Sequence, residues 1–450
     1  MAVVAKYCQE IIVTVVDINQ DRIDAWNSKN FNLPIFEPGL KELIQEIRGK
    51  NLFFTTDIKN SIKEADMIFI SVNTPTKKSG LGAGYASDLK WVEESARKVS
   101  QYSQGHTIVV EKSTVPVKTA ELIKSILISK KLNSNNDQDK KTYSVLSSPE
   151  FLAEGTAIKD LENPDRVLVG GEDENAIFCL TEIYKKWIPE EKILLTNIWS
   201  SELSKLTANA FLAQRISSIN SISALCEATG AQINEVSNAI GSDKRIGKKF
   251  LEAGPGFGGS CFQKDILNLV YLCKYYGLNQ VAEYWDQVIK LNNWQRKRIS
   301  DLIVEKFFGT VSDKKIVILG FAFKANTNDF RESSAIYIAK ELLENGANIL
   351  IHDPQVSYEQ INESLEVCIK KVENEKRISF SNNLNEVFHN ADAIIILTEW
   401  EIYKKLNWQK IVPTLRHPSW IFDTRSIINK SDIKDLGINI WRVGDGECFS

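Results

Sequence analysis

The sequence predicts an α/β protein in which two doubly wound domains are joined by a helical domain. Short β-branched runs alternate with amphipathic stretches from Ile11 to Val169, and the alternation returns after Lys314. Between these regions the pattern is almost entirely helical. Alternating strands and helices are typical of β-α-β units that build a parallel sheet. We place the domain boundaries at residues 1–198, 199–306 and 307–450.

Runs rich in Val, Ile and Leu mark the strands, and a spacing of three or four between apolar residues marks the helices. The first domain is expected to contain strands Ile11–Val16, Leu52–Thr55, Met67–Val72, Thr107–Glu111, Ser144–Leu146 and Arg166–Val169, with helices Asp88–Ser100 and Val117–Lys131. The second is expected to contain helices Ser201–Ala228, Ile233–Ile240, Asp265–Tyr276 and Val281–Val304. Strands of the third are Lys315–Leu319, Asn348–Ile351, Ala393–Leu397, Ile421–Asp423 and Ile438–Trp441.

Composition excludes several classes of partner. The 450 residues are 43% hydrophobic and 25% charged, which suits a soluble protein with two or three cores. The formal net charge is -3 and the pI is near 6.0, so no broad basic surface favours nucleic acid or an anionic membrane. No apolar run approaches the length of a membrane span. We therefore expect neither nucleic acid nor a membrane as a partner.

The cysteines and the first residues indicate a cytoplasmic protein. Seven cysteines are spread along the chain without C-x-x-C spacing, which fits a reducing compartment better than a disulfide framework. The first ten residues lack the basic region, the apolar stretch and the cleavage site of a signal peptide. No metal site is predicted.

An acidic residue directly after the first strand indicates a dinucleotide site. In dinucleotide-binding folds an acid at the position of Asp17 bonds the ribose 2'-hydroxyl of NAD, although it could instead cap the following turn. Such an acid normally follows a strand, a G-x-G-x-x-G turn and a helix by about 20 residues. Residues Met1–Cys8 look like that helix. We therefore expect the first strand and the glycine turn to be missing from this chain.

Two other glycine clusters do not replace that turn. Gly254–Gly259 satisfies G-x-G-x-x-G literally, but it follows a helical stretch, and no β-α-β unit comes after it. We interpret it as a flexible loop whose backbone closes around a ligand. Gly80–Gly84 also lacks a preceding strand and is interpreted as a mobile surface loop.

Cys261 is the candidate nucleophile. A lone cysteine is more often a small buried residue, but glycines before Cys261 give access to it. Lys264 and Asp265 follow it and supply groups that stabilise a thiolate or move protons. The other six cysteines are interpreted as buried, structural residues.

At this point the chain resembles the UDP-glucose 6-dehydrogenase family, most closely its animal members, from about residue 1 to about residue 430. The motifs that carry the resemblance, in order, are Ser71–Thr76, Glu111–Pro116, Pro149–Gly155, Glu202–Asn209, Gly258–Phe262 and Gly320–Lys324. Several independent matches in the same order are far harder to obtain by chance than any one of them.

The resemblance implies a two-step, NAD-dependent oxidation of UDP-glucose to UDP-glucuronate. Cys261 would hold the aldehyde as a thiohemiacetal and then as a thioester, which water hydrolyses. Lys205 and Asn209 would stabilise the oxyanion, and their spacing of four places them on one helix face. Asp265 would assist proton transfer. Glu150 and a water held by Thr114 would serve hydrolysis.

The resemblance also implies the binding residues and the assembly. NAD would contact Asp17, Arg22, Val72, Asn73, Thr74, Pro75, Thr76, Ser113, Thr114, Glu154, Cys261 and Arg331. UDP-glucose would contact Glu150, Phe151, Leu152, Ala153, Glu154, Lys205, Asn209, Phe250, Leu251, Gly256, Phe257, Phe323, Lys324 and Arg425, with Arg245 reaching in from a neighbouring subunit. A homohexamer is expected.

Two alternatives stay open from the sequence. The residues that line a hexose pocket do not rank sugars, so a mannose or N-acetylated nucleotide sugar is a second possible substrate. Because the glycine turn is missing, a non-catalytic protein that binds UDP-sugar is a third.

Overall fold

The computed structural model describes residues 1–129, 141–369 and 377–446. The chain divides into two compact units. The first unit comprises Met1–Ala208 and Leu267–Ala282, and the second comprises Asn209–Ile266 and Glu283–Ser450. The α/β class with two Rossmann-like regions and helices between them in sequence is confirmed.

The first unit contains two sheets. Strands β1 (Val13–Val16) and β2 (Leu52–Thr55) form a parallel pair. A second sheet has the order β3-β4-β5-β6-β7, with only β5 and β6 antiparallel. Its strands are β3 (Met67–Ile70), β4 (His106–Glu111), β5 (Thr142–Ser147), β6 (Val167–Gly170) and β7 (Ile193–Thr196). Within the described ranges β1 and β2 form a sheet separate from that of β3 to β7.

Eight helices of the described first region cover these sheets, and the last of them ends before β7. They are α1 (Ala2–Tyr7), α2 (Gln20–Asn27), α3 (Leu40–Ile47), α4 (Ile58–Glu64), α5 (Lys90–Tyr102), α6 (Thr119–Ser129), α7 (Ala157–Glu162) and α8 (Glu174–Lys185). Neighbouring side chains of β4 face opposite sides: Val109 packs with α5 and α6, and Val110 packs with α8. Both faces of the sheet are therefore buried.

Local hydrogen bonds explain two shifted boundaries. α5 begins at Lys90 and not at Asp88, because the Asp88 carboxylate accepts from the Lys90 backbone N–H at 3.0 Å and so lies outside the helix. β3 ends at Ile70 because the Val72 N–H is held by the Ser113 hydroxyl at 2.9 Å. The predicted helix Val117–Lys131 is α6, and its last predicted residue lies outside the described range.

The middle of the chain is helical, as predicted. It contains α9 (Ile198–Thr229), α10 (Ile233–Gly241), α11 (Phe262–Tyr275) and α12 (Asn279–Lys306). Asn197 precedes α9, and its side chain accepts from the Ser200 backbone N–H at 2.8 Å, which fixes where this helix begins.

The last region has the strand order β10-β9-β8-β11-β12-β13, and all its neighbouring pairs are parallel. The strands are β8 (Lys315–Leu319), β9 (Asn348–His352), β10 (Ile378–Phe380), β11 (Ala393–Ile396), β12 (Trp420–Asp423) and β13 (Asn439–Arg442). The helices are α13 (Ser334–Glu344), α14 (Tyr358–Ile369), α15 (Glu401–Lys404), α16 (Trp408–Ile411) and α17 (Lys430–Ile433). This is the doubly wound order, whose ligand crevice lies at the carboxyl ends of the central strands, here β8 and β11. No helix of the described ranges is long and apolar enough to cross a membrane.

The turn after β8 depends on a glycine. Gly320 has φ +93°, and a Cβ there would lie 2.3 Å from the Thr398 Cβ and 2.8 Å from the Thr398 backbone nitrogen. The left-handed backbone alone costs an L-residue roughly 1–2 kcal/mol. Contact with the backbone after β11 adds overpacking of about 1–3 kcal/mol.

We therefore expect Gly320→Ala to lower the free energy of unfolding well beyond the matched change Gly309→Ala. Gly309 has φ +86° with nothing within 4 Å of a new Cβ, so its variant reports backbone strain alone. Urea unfolding monitored by circular dichroism measures both. Equal midpoints for the two variants would show that the contact with Thr398 imposes no cost.

Candidate active site

Cys261 lies at the start of α11 with its side chain exposed, and its carbonyl accepts the first helical hydrogen bond, from the Asp265 N–H at 2.9 Å. A helix N-terminus favours negative charge, which suits a thiolate. Cys8, Cys226 and Cys273 are buried, and desolvation raises the pKa of each thiol. The expectation that the other cysteines are buried is wrong for Cys179, which is exposed on α8. The side chains of Cys368 and Cys448 lie outside the described part of the chain.

The loop before Cys261 is tightly packed. A Cβ on Gly258 would lie 2.5 Å from the Glu332 carbonyl oxygen and 2.9 Å from the Phe323 Cβ. Gly259 has φ +84°, lies against the Phe323 ring and donates its N–H to the Arg331 carbonyl at 2.8 Å. These glycines let the backbone pack against the protein itself, and closure of the loop around a ligand stays a prediction.

Asn209 and Asp265 meet inside the second unit. The Asn209 amide donates to the Asp265 carboxylate at 2.6 Å, and the two residues are only 6% and 1% exposed. The Lys264 ammonium lies 3.9 Å from the other carboxylate oxygen. A buried carboxylate needs such partners to remain charged. The arrangement gives a desolvated proton acceptor four residues after the candidate thiol.

Lys205 lies one helical turn before Asn209 on α9 and is 8% exposed. Within the first unit its ammonium lies 5.3 Å from the centroid of the Phe151 ring, a favourable cation–π distance. The spacing of four places the ammonium and the Asn209 amide on one face of α9.

Glu150 forms an ion pair that sequence reasoning missed. Its carboxylate lies 3.2 Å from the Lys112 ammonium and also accepts from the Phe151 N–H at 2.9 Å. Burial acts to raise the pKa of Glu150, but the charge and hydrogen bond of Lys112, together with the Phe151 N–H and the N-terminal charge, lower it overall. Burial likewise acts to lower the pKa of Lys112, whereas Tyr184 and Glu150 raise it. The available signal was a lysine directly after a buried strand, within the motif Glu111–Pro116.

The segment with Leu152, Ala153 and Glu154 is held by a second residue that the sequence did not suggest. Glu37 accepts from the backbone N–H groups of Gly155 and Ala157, each at 2.7 Å. A carboxylate that accepts two backbone N–H groups at the start of α7 stabilises both donors. Glu37 therefore holds the end of this segment, while the Asp160 carboxylate accepts from the Ala153 N–H at 3.0 Å.

The proposed cofactor residues occupy the carboxyl ends of β3 and β4. The Ser113 hydroxyl bonds the backbone of Val72, and the Thr74 hydroxyl donates to the Thr114 carbonyl at 2.8 Å. These bonds join the two loops, Val72–Thr76 and Ser113–Thr114, at the sheet edge where dinucleotides bind. Asn73, Pro75 and Thr76 lie in the same loop.

The Asp17 carboxylate follows β1 and accepts from the Asn19 N–H at 2.9 Å, with Arg22 at 3.5 Å. Its side chain remains partly exposed. The position therefore fits both the turn cap and the ribose acceptor that the sequence left open. Asp17 and the loops after β3 and β4 are the described groups that fit NAD.

The proposed uridine diphosphate residues meet at the carboxyl ends of three strands in the second unit. Arg425, after β12, donates to the carbonyl of Leu397 after β11 at 2.8 Å and to that of Phe323 after β8 at 3.1 Å. Lys324 follows Phe323 directly. Cationic side chains at a crevice between strand ends suit a diphosphate.

The other proposed substrate residues differ in exposure. Leu251 and Phe257 are buried, whereas Phe250 is exposed with φ +63°. Arg245 is the most exposed of the cationic set, at 88%, and pairs with Asp243. Arg331 makes a two-pronged pair with Asp329 at 2.8 and 2.7 Å. Among the described residues of this one chain, Arg245 makes hydrogen bonds with Asp243 and with none of the other proposed substrate residues.

Three regions of the chain match one family. Residues 1–188 match the NAD binding domain of the UDP-glucose/GDP-mannose dehydrogenase family, residues 199–294 its central domain and residues 317–430 its UDP binding domain. The chain belongs to this family. The candidate thiol, Asn209 and Asp265 lie within the central domain, and Phe323, Lys324 and Arg425 lie within the UDP binding domain.

Relatives from animals and plants extend over almost the whole chain. UDP-glucose 6-dehydrogenase of Bos taurus is 54% identical over 98% of this chain and 90% of its own length. That of Caenorhabditis elegans is 53% identical over 98% and 92%, and UDP-glucose 6-dehydrogenase 4 of Arabidopsis thaliana is 51% identical over 99% and 94%.

Among solved structures, a UDP-glucose dehydrogenase from Pyrobaculum islandicum is similar with a TM-score of 0.83 at 29% identity, covering 99% of this chain and 94% of that one. A UDP-D-ManNAc dehydrogenase from Pyrococcus horikoshii, at 24% identity and a TM-score of 0.80 over 99% and 96%, has the same fold.

The role of Glu37 is testable without substrate. We expect Glu37→Gln to speed hydrogen exchange at the Gly155 and Ala157 amides, because a side-chain amide offers one acceptor where the carboxylate offers two. Mass-spectrometric hydrogen exchange measures it. Glu42→Gln, on the exposed face of α3, is the matched control. Unchanged exchange in residues 150–157 of the Glu37 variant would contradict the role of Glu37.

Proposed function

We propose that this chain oxidises the C6 hydroxyl of UDP-glucose to a carboxylate, with two NAD molecules each accepting one hydride. The observation that carries the proposal is the exposed Cys261 thiol, which follows a tightly packed loop. Asp265 lies four residues after the thiol and is buried with Asn209, which donates to its carboxylate. Identities of 51–54% to UDP-glucose 6-dehydrogenases over nearly the whole chain support the same reaction.

A covalent step explains how one site performs two oxidations. In the first, the alcohol carbon loses a hydride and its hydroxyl loses a proton, which gives an aldehyde. The Cys261 sulfur then adds to the aldehyde carbon, and the oxygen takes up a proton to give a thiohemiacetal. Loss of a second hydride and of the hydroxyl proton gives a thioester. Because the intermediate stays bonded to sulfur, no aldehyde is released.

The charged residues have separate roles in this proposal. The Lys205 ammonium and the Asn209 amide stabilise negative charge on the reacting oxygen. Asp265 accepts the hydroxyl proton in both oxidations. Glu150 takes a proton from a water, held by Thr114, that attacks the thioester, and the thiolate of Cys261 leaves. One water is consumed, and the product is a carboxylate.

Binding residues follow from the described loops. Asp17, Val72–Thr76 and Ser113–Thr114 would hold NAD, and Phe323, Lys324 and Arg425 would hold the uridine diphosphate. Residues 1–16 contain no G-x-G-x-x-G turn. Titration of the purified chain with NAD therefore tests the cofactor directly, and absence of binding would favour the non-catalytic alternative.

We expect Cys261→Ser to abolish steady NADH production while UDP-glucose binding survives, because the thiol acts after substrate has bound. Absorbance of NADH and calorimetric titration measure the two properties. Cys179→Ser removes another exposed thiol of the described residues and should retain activity. Wild-type turnover by the Cys261 variant would contradict the covalent mechanism. Parallel assays with GDP-mannose and UDP-N-acetylmannosamine test the sugar.

Lys112 should determine the acidic limit of turnover. Without its charge, burial dominates and the pKa of Glu150 rises, so the carboxylate becomes protonated at a higher pH. A base is lost as pH falls through its pKa, and we therefore expect Lys112→Met to move the acidic limb of kcat to higher pH. Lys124→Met, at an exposed pair on α6, is the control. An acidic limb of kcat at the same pH in the Lys112 variant and the wild type would show that Glu150 is not the base that limits turnover.

We propose that the protein forms a homohexamer. Several large apolar side chains of α9 and α12 in the second unit are about half exposed, among them Phe211, Leu225, Tyr284 and Trp294 at 45–58%. Large exposed apolar surface indicates an interface. We expect sedimentation velocity to give a hexamer and Leu225→Glu to dissociate it. A wild-type monomer would contradict the assembly.

A further inference from the structure

The loop from Gly254 to Cys261, called the thiol loop, is held by one face of α12. Asn292, Gln295 and Arg296 occupy positions i, i+3 and i+4 of this helix and are 1%, 0% and 2% exposed. The large majority of polar side chains that are buried this completely make hydrogen bonds. None of the three was suggested by the sequence as a functional residue.

Asn292 bonds both backbone groups of one loop residue. Its side-chain oxygen accepts from the Phe257 N–H at 2.8 Å, and its amide donates to the Phe257 carbonyl at 3.1 Å. Gln295 donates to the Gly254 carbonyl at 2.8 Å. Two residues of α12 therefore fix the loop backbone at positions 254 and 257.

Arg296 joins the thiol loop to a second segment. One terminal nitrogen of its guanidinium donates to the Phe257 carbonyl at 2.6 Å and to the Glu332 carbonyl at 2.8 Å. Its Nε donates to the Ser334 hydroxyl at 3.3 Å, and that hydroxyl donates to the Gly256 carbonyl at 3.3 Å. The guanidinium carbon lies 4.1 Å from the centroid of the Tyr337 ring. A planar fork with fixed donors is needed to make these bonds at once.

The far side of the loop is fixed as well. Gly259 bonds the Arg331 carbonyl, and Gly258 lies against Glu332. Arg296 thus links the thiol loop to the segment at Glu332, and these are the two segments that Gly258 and Gly259 bring into contact. The sulfur of Cys261 follows directly and is itself exposed. Its position at the start of α11 depends on backbone that these bonds hold in place.

We propose that Arg296, with Asn292, is a positioning residue that holds the Cys261 sulfur at the N-terminus of α11. Arg296 contacts no reacting atom and acts through the backbone of Phe257 and Glu332. The catalytic importance of this position rests on the proposed function, whereas the positioning itself is a property of the free protein.

The test is Arg296→Lys, which keeps the charge and removes the fork. Lysine lacks the Nε donor to the Ser334 hydroxyl and the planar group that lies on the Tyr337 ring, so the loop loosens and the sulfur leaves a place where negative charge is favoured. Alkylation of Cys261 by iodoacetamide, followed by mass spectrometry of its peptide, should slow about two- to fivefold. The kcat should fall by on the order of tenfold to a hundredfold, and by a larger factor than KM for UDP-glucose rises.

Arg97→Lys is the matched control. Arg97 lies on the exposed face of α5 and pairs with Glu93 at 3.3 Å, so lysine retains the ion pair and no described bond to the thiol loop or to α12 is changed. We expect alkylation and kcat close to wild type. Should Arg296→Lys fail to fold, as judged by circular dichroism, Ser334→Ala removes one acceptor of Arg296 and one bond to the loop, and should give the same changes at smaller size.

A folded Arg296→Lys protein, or in its place Ser334→Ala, with wild-type alkylation of Cys261 would overturn the positioning role, whatever its activity. Failure of the proposed function has a different signature: the wild-type protein would oxidise no UDP-glucose, while the alkylation rates would still decide whether Arg296 positions the thiol.

Discussion

The contact between the thiol loop and the segment at Phe323 and Glu332 is the constraint on which the candidate site depends. The two backbones approach so closely that a single Cβ on Gly258 would lie 2.5 Å from a carbonyl oxygen. Close packing of this kind has few alternative arrangements. The thiol loop is consequently packed directly against the segment that contains Phe323, one of the proposed diphosphate residues.

Three charged side chains near the candidate site are removed from water together with their partners. Asp265 has Asn209 and Lys264, Glu150 has Lys112, and Arg296 has backbone carbonyls and an aromatic ring. Each group is removed from water only where its hydrogen bonds are replaced. Such pairs hold their geometry before substrate arrives, which is what electrostatic stabilisation of a transition state requires.

The sequence predicted the class of fold and most strands because β4, β8 and β11 are continuous apolar runs rich in Val and Ile, which are typical of strands buried on both faces. It missed β7 and β10, since these short edge strands of four and three residues are partly exposed and show little pattern. Cys261, Lys205, Asn209 and Asp265 were found because they lie close to recognisable motifs. Residues that support them were not.

Glu37 and Arg296 illustrate why those supports escaped notice. Glu37 lies 118 residues from one of its donors, and Arg296 reaches carbonyls 39 residues before it and 36 after it. Every residue has a backbone carbonyl, and all but proline have a backbone N–H. A side chain that bonds such groups therefore cannot be matched to its partner from residue types in the sequence. Only the folded arrangement of distant segments identifies such a residue.

Arg425 ties together the carboxyl ends of β8, β11 and β12, three strands separated by about a hundred residues of chain. No contiguous peptide of this region therefore holds the nucleotide crevice. A fragment that ends before β12 would keep the central strands yet lose the cross-tie between their ends. A nucleotide bound at these strand ends would therefore be contacted by loops from dispersed parts of the chain.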